Sequence, residues 1–167
     1  MLEFLQFIDE KIFFVINGLH NQFFDRVMWW ISGKYTWIPF YLIILGILIY
    51  RFRIKALIYI LFIIVLITAS DQGSVHLFKN VFERLRPSHN PDLQNMVHLV
   101  NGYRGGKFGF ISSHAANSFA LVSFLAPVIK KKWFILLLFL WAILICYSRI
   151  YLGVHYPFDI IVGGAFG

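Results

Sequence analysis

The sequence predicts an all-α integral membrane protein, a bundle of about five transmembrane helices preceded by an N-terminal interfacial amphipathic helix. Three observations carry this expectation. Of 167 residues, 59% are hydrophobic and 14% charged, against about 25% charged in a typical soluble domain. The apolar residues fall into repeated runs rich in aromatics, with Phe 19 times and Trp five times. The polar residues lie between those runs, in short basic blocks and one long loop. No repeat or low-complexity linker divides the chain, so 1–167 read as one domain, with 1–33 interfacial and 34–167 forming the transmembrane bundle.

Residues 2–19 hold Leu2, Leu5, Ile8, Ile12, Val15 and Leu19 at three- and four-residue steps, interrupted by Glu3, Asp9, Glu10 and Lys11. That is the pattern of a helix lying along the membrane surface. A basic start followed by a small-residue cleavage site is missing, so the segment is not read as a signal peptide. Residues 21–32 carry Asp25, Arg26, Trp29 and Trp30, and are read as interfacial too, because paired Trp sit well at headgroup level.

The first span is placed at 36–50. It falls short of the about 20 residues a hydrocarbon core requires, so Lys34, Tyr35 and Arg51 are expected to snorkel at its ends. The second, 56–78, turns polar at Thr68, Ser70, Asp71, Gln72 and Ser74. A carboxylate inside a span should face the bundle interior and find a cation, which makes Asp71 a candidate supporting residue. Residues 79–110 form a long polar connection with Pro87, Pro91 and glycines at 102, 105, 106 and 109; connections of this length are usually functional or disordered. Two more apolar runs follow, 111–129 and 133–147. The last begins at Pro157 and reaches Gly167 after 11 residues, about half a span, so a native chain that continues past Gly167 is expected.

The net charge of +7 does not point to nucleic acid, because the positives occur as short blocks between apolar runs and within one loop. Arg51, Arg53 and Lys55 in one turn and Lys130, Lys131 and Lys132 in another read as cytoplasmic under the positive-inside rule. The connection 79–110 and the turn 148–156 then share the opposite face, the periplasmic or outer face of a cytoplasmic (inner) membrane. Cys146 is the only cysteine, so no intramolecular disulfide forms, and inside an apolar run it reads as a buried inert thiol.

Three clusters meet at that face. In KNVFERLRP, Lys79 and Arg86 are seven residues apart and share one side of a helix that Pro87 helps to end. In ISSH, Ser112 and Ser113 open a helix whose free N–H groups favour phosphate, with His114 in its first turn. In SRIYLGVHYPFD, Ser148 and Arg149 precede His155, and Asp159 follows it by four. Arg84, Arg104 and Lys107 read as solvated loop residues or headgroup contacts.

These clusters, in this order, resemble the three-part signature of the type 2 phosphatidic acid phosphatases, a superfamily that also includes bacterial acid phosphatases and vanadium haloperoxidases. The resemblance covers Lys79 to Asp159, and the helices around it fit the membrane lipid phosphatase branch. Two departures stand out. The family commonly reads Pro-Ser-Gly-His where this chain has Ile111, Ser112, Ser113 and His114, and many relatives have one more N-terminal span. The resemblance implies a phosphatase without cofactor or metal, acting on a membrane lipid phosphate or diphosphate: undecaprenyl diphosphate, phosphatidylglycerophosphate, phosphatidic acid or a lipid A phosphate.

The chemistry of the residues agrees with it. A neutral imidazole on His155 can attack phosphorus, splitting one hard step into two. Asp159, one helical turn on, can fix its tautomer and stabilise the phospho-histidine. His114 can protonate the leaving oxygen and later deprotonate water. Lys79, Arg86 and Arg149, with Ser112 and Ser113, can hold the phosphoryl oxygens, and Ser148 can support them. The rival readings are a non-catalytic lipid-phosphate binding or transport protein, which would need no nucleophile, and a haloperoxidase, which membrane burial disfavours. The sequence specifies no oligomeric state.

Overall fold

The computed structural model describes residues 2–167, and Met1 of the expected interfacial segment lies outside the described residues. Among these residues the fold is all helix, with one isolated antiparallel bridge between Leu85 and Phe108. The helices are α1 (Leu2–Gly18), α2 (Gln22–Ile31), α3 (Ile38–Phe52), α4 (Ala56–Gly73), the short α5 (Asn80–Phe82), α6 (Ser113–Ile129), α7 (Lys132–Tyr151) and α8 (Pro157–Phe166). A π-helical stretch, Ser74–Lys79, joins α4 to α5.

Two apolar helical stretches, Ile38–Phe82 and Lys132–Tyr151, are long enough to cross a membrane, with mean hydropathies of 2.3 and 2.1. The first doubles back at Arg53, where φ of 51° breaks the helix. Phe52 meets Tyr59 beside the reversal, and Tyr41 at the far end of α3 shares a cavity wall with Asp71 of α4. Leu57, Leu61, Ile64 and Val65 of α4 face outward. An apolar surface of that extent suits lipid rather than water.

The core lies between α3, α4, α6 and α7, where Leu48, Leu125, Phe134 and Leu138 are fully enclosed and Trp141 packs against Trp37 and Phe40. The two basic turns stand at one end of this bundle: Arg51 donates to the Ile129 carbonyl, just before Lys130. The 79–110 connection and the turn between α7 and α8 stand at the other end.

The N-terminal helix shows which side of its pattern meets the bundle. Its inward face is Asp9, Phe13 and Asn17, spaced by four residues and buried, while Leu5, Ile12, Val15 and Leu19 face outward. In lipid the usual logic inverts, since polar groups find their partners inside the bundle. Asp9 reaches the start of α8, and Asn17 donates to the carbonyls of His98 and Tyr151. Helix α1 therefore lies across the end that holds the three clusters.

The turn that closes α7 sets the entry to α8. Gly153, at φ +75°, bonds its N–H to the Ile150 carbonyl at 3.0 Å, and Val154 bonds Arg149 at 3.2 Å. A left-handed glycine ends a helix in this way. A side chain there would lie 2.6 Å from Val97 Cγ1 and 2.9 Å from the His98 carbonyl. Gly153→Ala is expected to destabilise the fold by about 1–3 kcal/mol, read as a lower unfolding temperature of the detergent-solubilised protein.

Candidate functional site

The bundle end opposite the basic turns brings Arg86, Arg149, Lys79, His114, His155 and Asp159 together. His155 lies in the turn after Gly153 and is 1% exposed; Asp159, in the first turn of α8, is fully buried. Asp159 Oδ2 accepts the Tyr156 N–H at 3.0 Å, as an N-terminal carboxylate does for a helix start. Its Oδ1 takes Arg84 Nη1 at 2.8 Å.

The imidazole of His155 sits between two groups of opposite character. Its Nε2 is 3.1 Å from Arg86 Nη1, and its Nδ1 is 3.4 Å from Asp159 Oδ2. A guanidinium has no acceptor, so the hydrogen-bond network assigns the lone pair to Nε2 and the proton to Nδ1. At 3.4 Å the Nδ1 contact is longer than a formed N–H···O bond. Positive charge on the ring would draw the pair together. Burial, and then the cations of Arg86, Arg149 and Lys79, hold His155 well below the usual histidine range, so it is neutral at physiological pH.

The extended pairing around Leu85 explains how two arginines reach one site. Arg86 N–H bonds the Lys107 carbonyl at 3.1 Å, and Gly109 N–H bonds the Arg84 carbonyl at 2.9 Å. Alternate residues of an extended segment share a face, which turns both Arg84 and Arg86 inward. Arg86 is anchored by Nε to the Phe108 carbonyl and by Nη1 to the Val154 carbonyl, both at 3.1 Å. Burial, with Arg149 close by, lowers its guanidinium to about 10, still protonated at neutral pH. Gly109 leaves room for this packing: a Cβ there would lie 3.1 Å from both Arg86 Cγ and Asp159 Oδ2.

Lys79 ends the π-helical stretch and donates from Nζ to Ser113 Oγ at 2.5 Å, while Ser74 Oγ meets the same hydroxyl at 2.5 Å. Arg149, in the last turn of α7, bonds Ser32 and, at 3.4 Å, the Tyr103 hydroxyl, and its buried Nε has no partner. Among the described residues, no carboxylate lies within ion-pair distance of Lys79, Arg86 or Arg149. Buried cations gathered without counter-charge are costly and are the chemistry of an anion site.

His114 opens on a cavity of about 200 Å³ that Ser32, Lys34, Asp71 and Asn117 also line. It makes no side-chain hydrogen bond to the described residues, which leaves its ring free to meet a bound group. The other candidates are placed differently from expectation. Ser112 is buried, its Oγ capping α6 at Ala115 N (3.5 Å) and its N–H bound to the Asp159 carbonyl at 3.0 Å, so it braces α6 against α8. Ser148 is buried with Oγ bonded 2.6 Å back to the Ile145 carbonyl. Asp71, expected to find a cation, instead accepts from Asn117 Nδ2 at 3.5 Å.

Arg84 also departs from expectation, because it is no solvated loop residue. Its Nη2 bonds Asp9 Oδ2 at 2.6 Å, its Nη1 bonds Asp159, and its guanidinium stacks 4.2 Å from the Tyr156 ring centre. Asp9 and Ser32 likewise reach the site from segments the sequence offered no reason to connect with it, and Tyr103 reaches it from the long connection. The R-x-R spacing before Pro87 was the one available signal. Among the described residues, no group of three or more His, Cys, Asp or Glu side chains is arranged to hold a metal ion.

The chain is similar to known proteins over most of its length. The sequence profile of the PAP2 superfamily matches residues 54–167. A lipid A 4'-phosphatase of Bacteroides thetaiotaomicron is 44% identical over 170 residues, covering 100% of this chain and 75% of that protein. A lipid A 4'-phosphatase of Porphyromonas gingivalis is 36% identical, covering 99% and 71%. Two crystal structures share the fold at 25% identity: Aquifex aeolicus LpxE, with a TM-score of 0.67 over 93% of this chain and 87% of that one, and a PAP2-type phosphatidylglycerolphosphate phosphatase of Bacillus subtilis, with 0.68 over 96% and 79%.

The contacts of His155 yield a spectroscopic expectation. In ¹⁵N- and ¹³C-labelled histidine spectra, His155 should be the neutral Nδ1-protonated tautomer at pH 6.5. Arg86→Gln removes a neighbouring positive charge, so the ring's titration should move to higher pH.

Proposed function

This chain belongs to the PAP2 superfamily and is a lipid phosphatase, and we propose that it removes a phosphate from a lipid A-type headgroup through a phospho-histidine on His155. One observation carries the chemistry: a neutral imidazole, its lone pair on Nε2 and its proton facing Asp159, stands among Lys79, Arg86 and Arg149, which lack carboxylate partners. The substrate class is supported by the two relatives named lipid A 4'-phosphatase. A second reading, phosphatidylglycerol phosphate, has the support of the Bacillus subtilis structure's own substrate name.

In the proposed reaction a phosphoryl oxygen takes over the Arg86 N–H that now points at Nε2. The lone pair so released attacks phosphorus. The Nε2–P bond forms, the bond from phosphorus to the ester oxygen breaks, and His114, protonated once the phosphate's negative charge lies beside it, gives its proton to that oxygen. Asp159 draws in Nδ1–H as the ring becomes cationic. Water then attacks phosphorus, His114 takes its proton, and the N–P bond breaks to release phosphate. Lys79, Arg86 and Arg149 neutralise the oxygens throughout, the chief demand of phosphoryl transfer. Ser113 orients Lys79, while Ser112, Ser148 and Asp71 support the helices and cavity around the site.

A lipid substrate also suits the surroundings. An apolar cavity of about 420 Å³, between α3, α4, α6 and α7, adjoins the His114 cavity and shares Tyr41, Asn117 and Ser118 with it. An acyl chain there would leave its phosphate beside His114 and Lys34. We assign the bundle five membrane crossings, α3, α4, α6, α7 and α8, with α1 and α2 at the interface above the site. The basic turns face the cytoplasm of an inner membrane and the site faces outward.

Two experiments test these assignments. A panel of lipid A, phosphatidylglycerol phosphate, undecaprenyl diphosphate and phosphatidic acid should release phosphate in chelator, most rapidly from lipid A, and vanadate should inhibit. His155→Ala should lower the rate at least about 10³-fold and Asp159→Asn about 10²–10⁴-fold; undiminished release by His155→Ala would sink the covalent mechanism. For topology, a cysteine placed at Gln94 should react with an impermeant maleimide in intact spheroplasts, and one at Lys131 only after lysis. The reverse labelling would overturn the orientation.

A further inference from the structure

The proposed reaction uses Asp159 but leaves unexplained why a second buried carboxylate, on an N-terminal helix far away in sequence, is tied to it. Asp9 is fully buried. Its Oδ2 bonds Arg84 Nη2 at 2.6 Å, and its Oδ1 accepts the Phe158 N–H at 2.8 Å, beside Asp159. Arg84 bonds Asp159 Oδ1 with its other terminal nitrogen at 2.8 Å. Asp9, Arg84 and Asp159 thus form a row with two negative charges and one positive, and only its last member faces His155.

We infer that Asp9 is a positioning residue of the catalytic centre, acting through Arg84 to keep a net negative charge on the Asp159 side of His155. The physical reason is charge balance. Arg84 alone would neutralise Asp159, leaving little to stabilise the positive ring of a phospho-histidine. Asp9 shares the guanidinium, so the row as a whole remains anionic. The geometry divides the work: Oδ1 of Asp159 is held by Arg84, which leaves Oδ2 for Tyr156 N–H and for His155 Nδ1. Facing the same imidazole from other elements are Arg86 of the long connection, Lys79 of the π-helical stretch, Arg149 of α7 and His114 of α6. With so many cations on that side, the sign of the Asp159 side matters to the reaction.

The inference rests on His155 being the nucleophile, so each measurement is paired with His155→Ala. Full-length protein in lipid–detergent micelles would be assayed for kcat, KM and pH profile on lipid A and on dioctanoyl phosphatidic acid. Asp9→Asn should lower kcat about tenfold, the scale of one charge acting across a buried row, with KM changed less than about threefold. Removing that negative charge lowers the pKa of His155, so the acid limb of kcat/KM should move to lower pH. Arg84→Gln removes a positive charge, so its acid limb should move to higher pH. Asp9→Glu keeps the charge and should keep the limb at the wild-type position. A purely structural role predicts less folded protein with an unchanged profile. If Asp9→Asn does not fold, Arg84→Gln and Asp9→Glu still decide the matter through the position of their limbs. Wild-type kcat and profile in folded Asp9→Asn, with His155→Ala inactive, would overturn this inference alone; an active His155→Ala would overturn the reading beneath it.

Discussion

The Asp159 carboxylate, enclosed at the first turn of α8, joins four parts of the chain. It accepts the Tyr156 N–H, pairs with Arg84 of the long connection, faces His155 of the preceding turn, and through Arg84 reaches Asp9 of the N-terminal helix. Its own carbonyl accepts the Ser112 N–H at the start of α6. A charge this deeply buried must be paired, and its partners come from the long connection, the turn before α8 and the start of α6.

The site sets two unequal charge groups on either side of one imidazole. On one side Lys79, Arg86 and Arg149 stand without carboxylates, which favours a bound anion and keeps the ring neutral. On the other, Asp159 waits at 3.4 Å from Nδ1, slightly too far for a good hydrogen bond with a neutral ring. A phosphoryl group would relieve the first imbalance by supplying negative charge, and the cationic phospho-histidine would shorten the second contact. In the proposed reaction both changes would favour the intermediate over the resting state.

Membrane burial explains the inverted helices. Leu57, Leu61 and Ile64 face outward while Asp9, Asn17 and Ser74 face inward, because in lipid the polar groups are the ones that need a protein partner. Helix α1 turns Asp9 and Asn17 to the bundle, where they find partners, while Glu3, Gln6 and Lys11 stay exposed beside its outward apolar residues. Its outward Leu and Val residues were legible as periodicity; which side the periodicity served was not.

The sequence by itself determined the helical membrane class, the position of each apolar helix to within a few residues, and the residue types of the three clusters. Composition, basic turns and the spacing of Lys79, Arg86, His114, Arg149, His155 and Asp159 are local properties that survive in one dimension. Tertiary structure alone decided the tautomer of His155, the inward turn of Arg84, the capping use of Ser112, the helix-internal bond of Ser148 and the arrival of Asp9, Ser32 and Tyr103. The reason is physical: a buried charge is satisfied by whatever partner packing brings within about 3 Å, and packing joins residues such as Asp9 and Asp159 that lie at opposite ends of the chain.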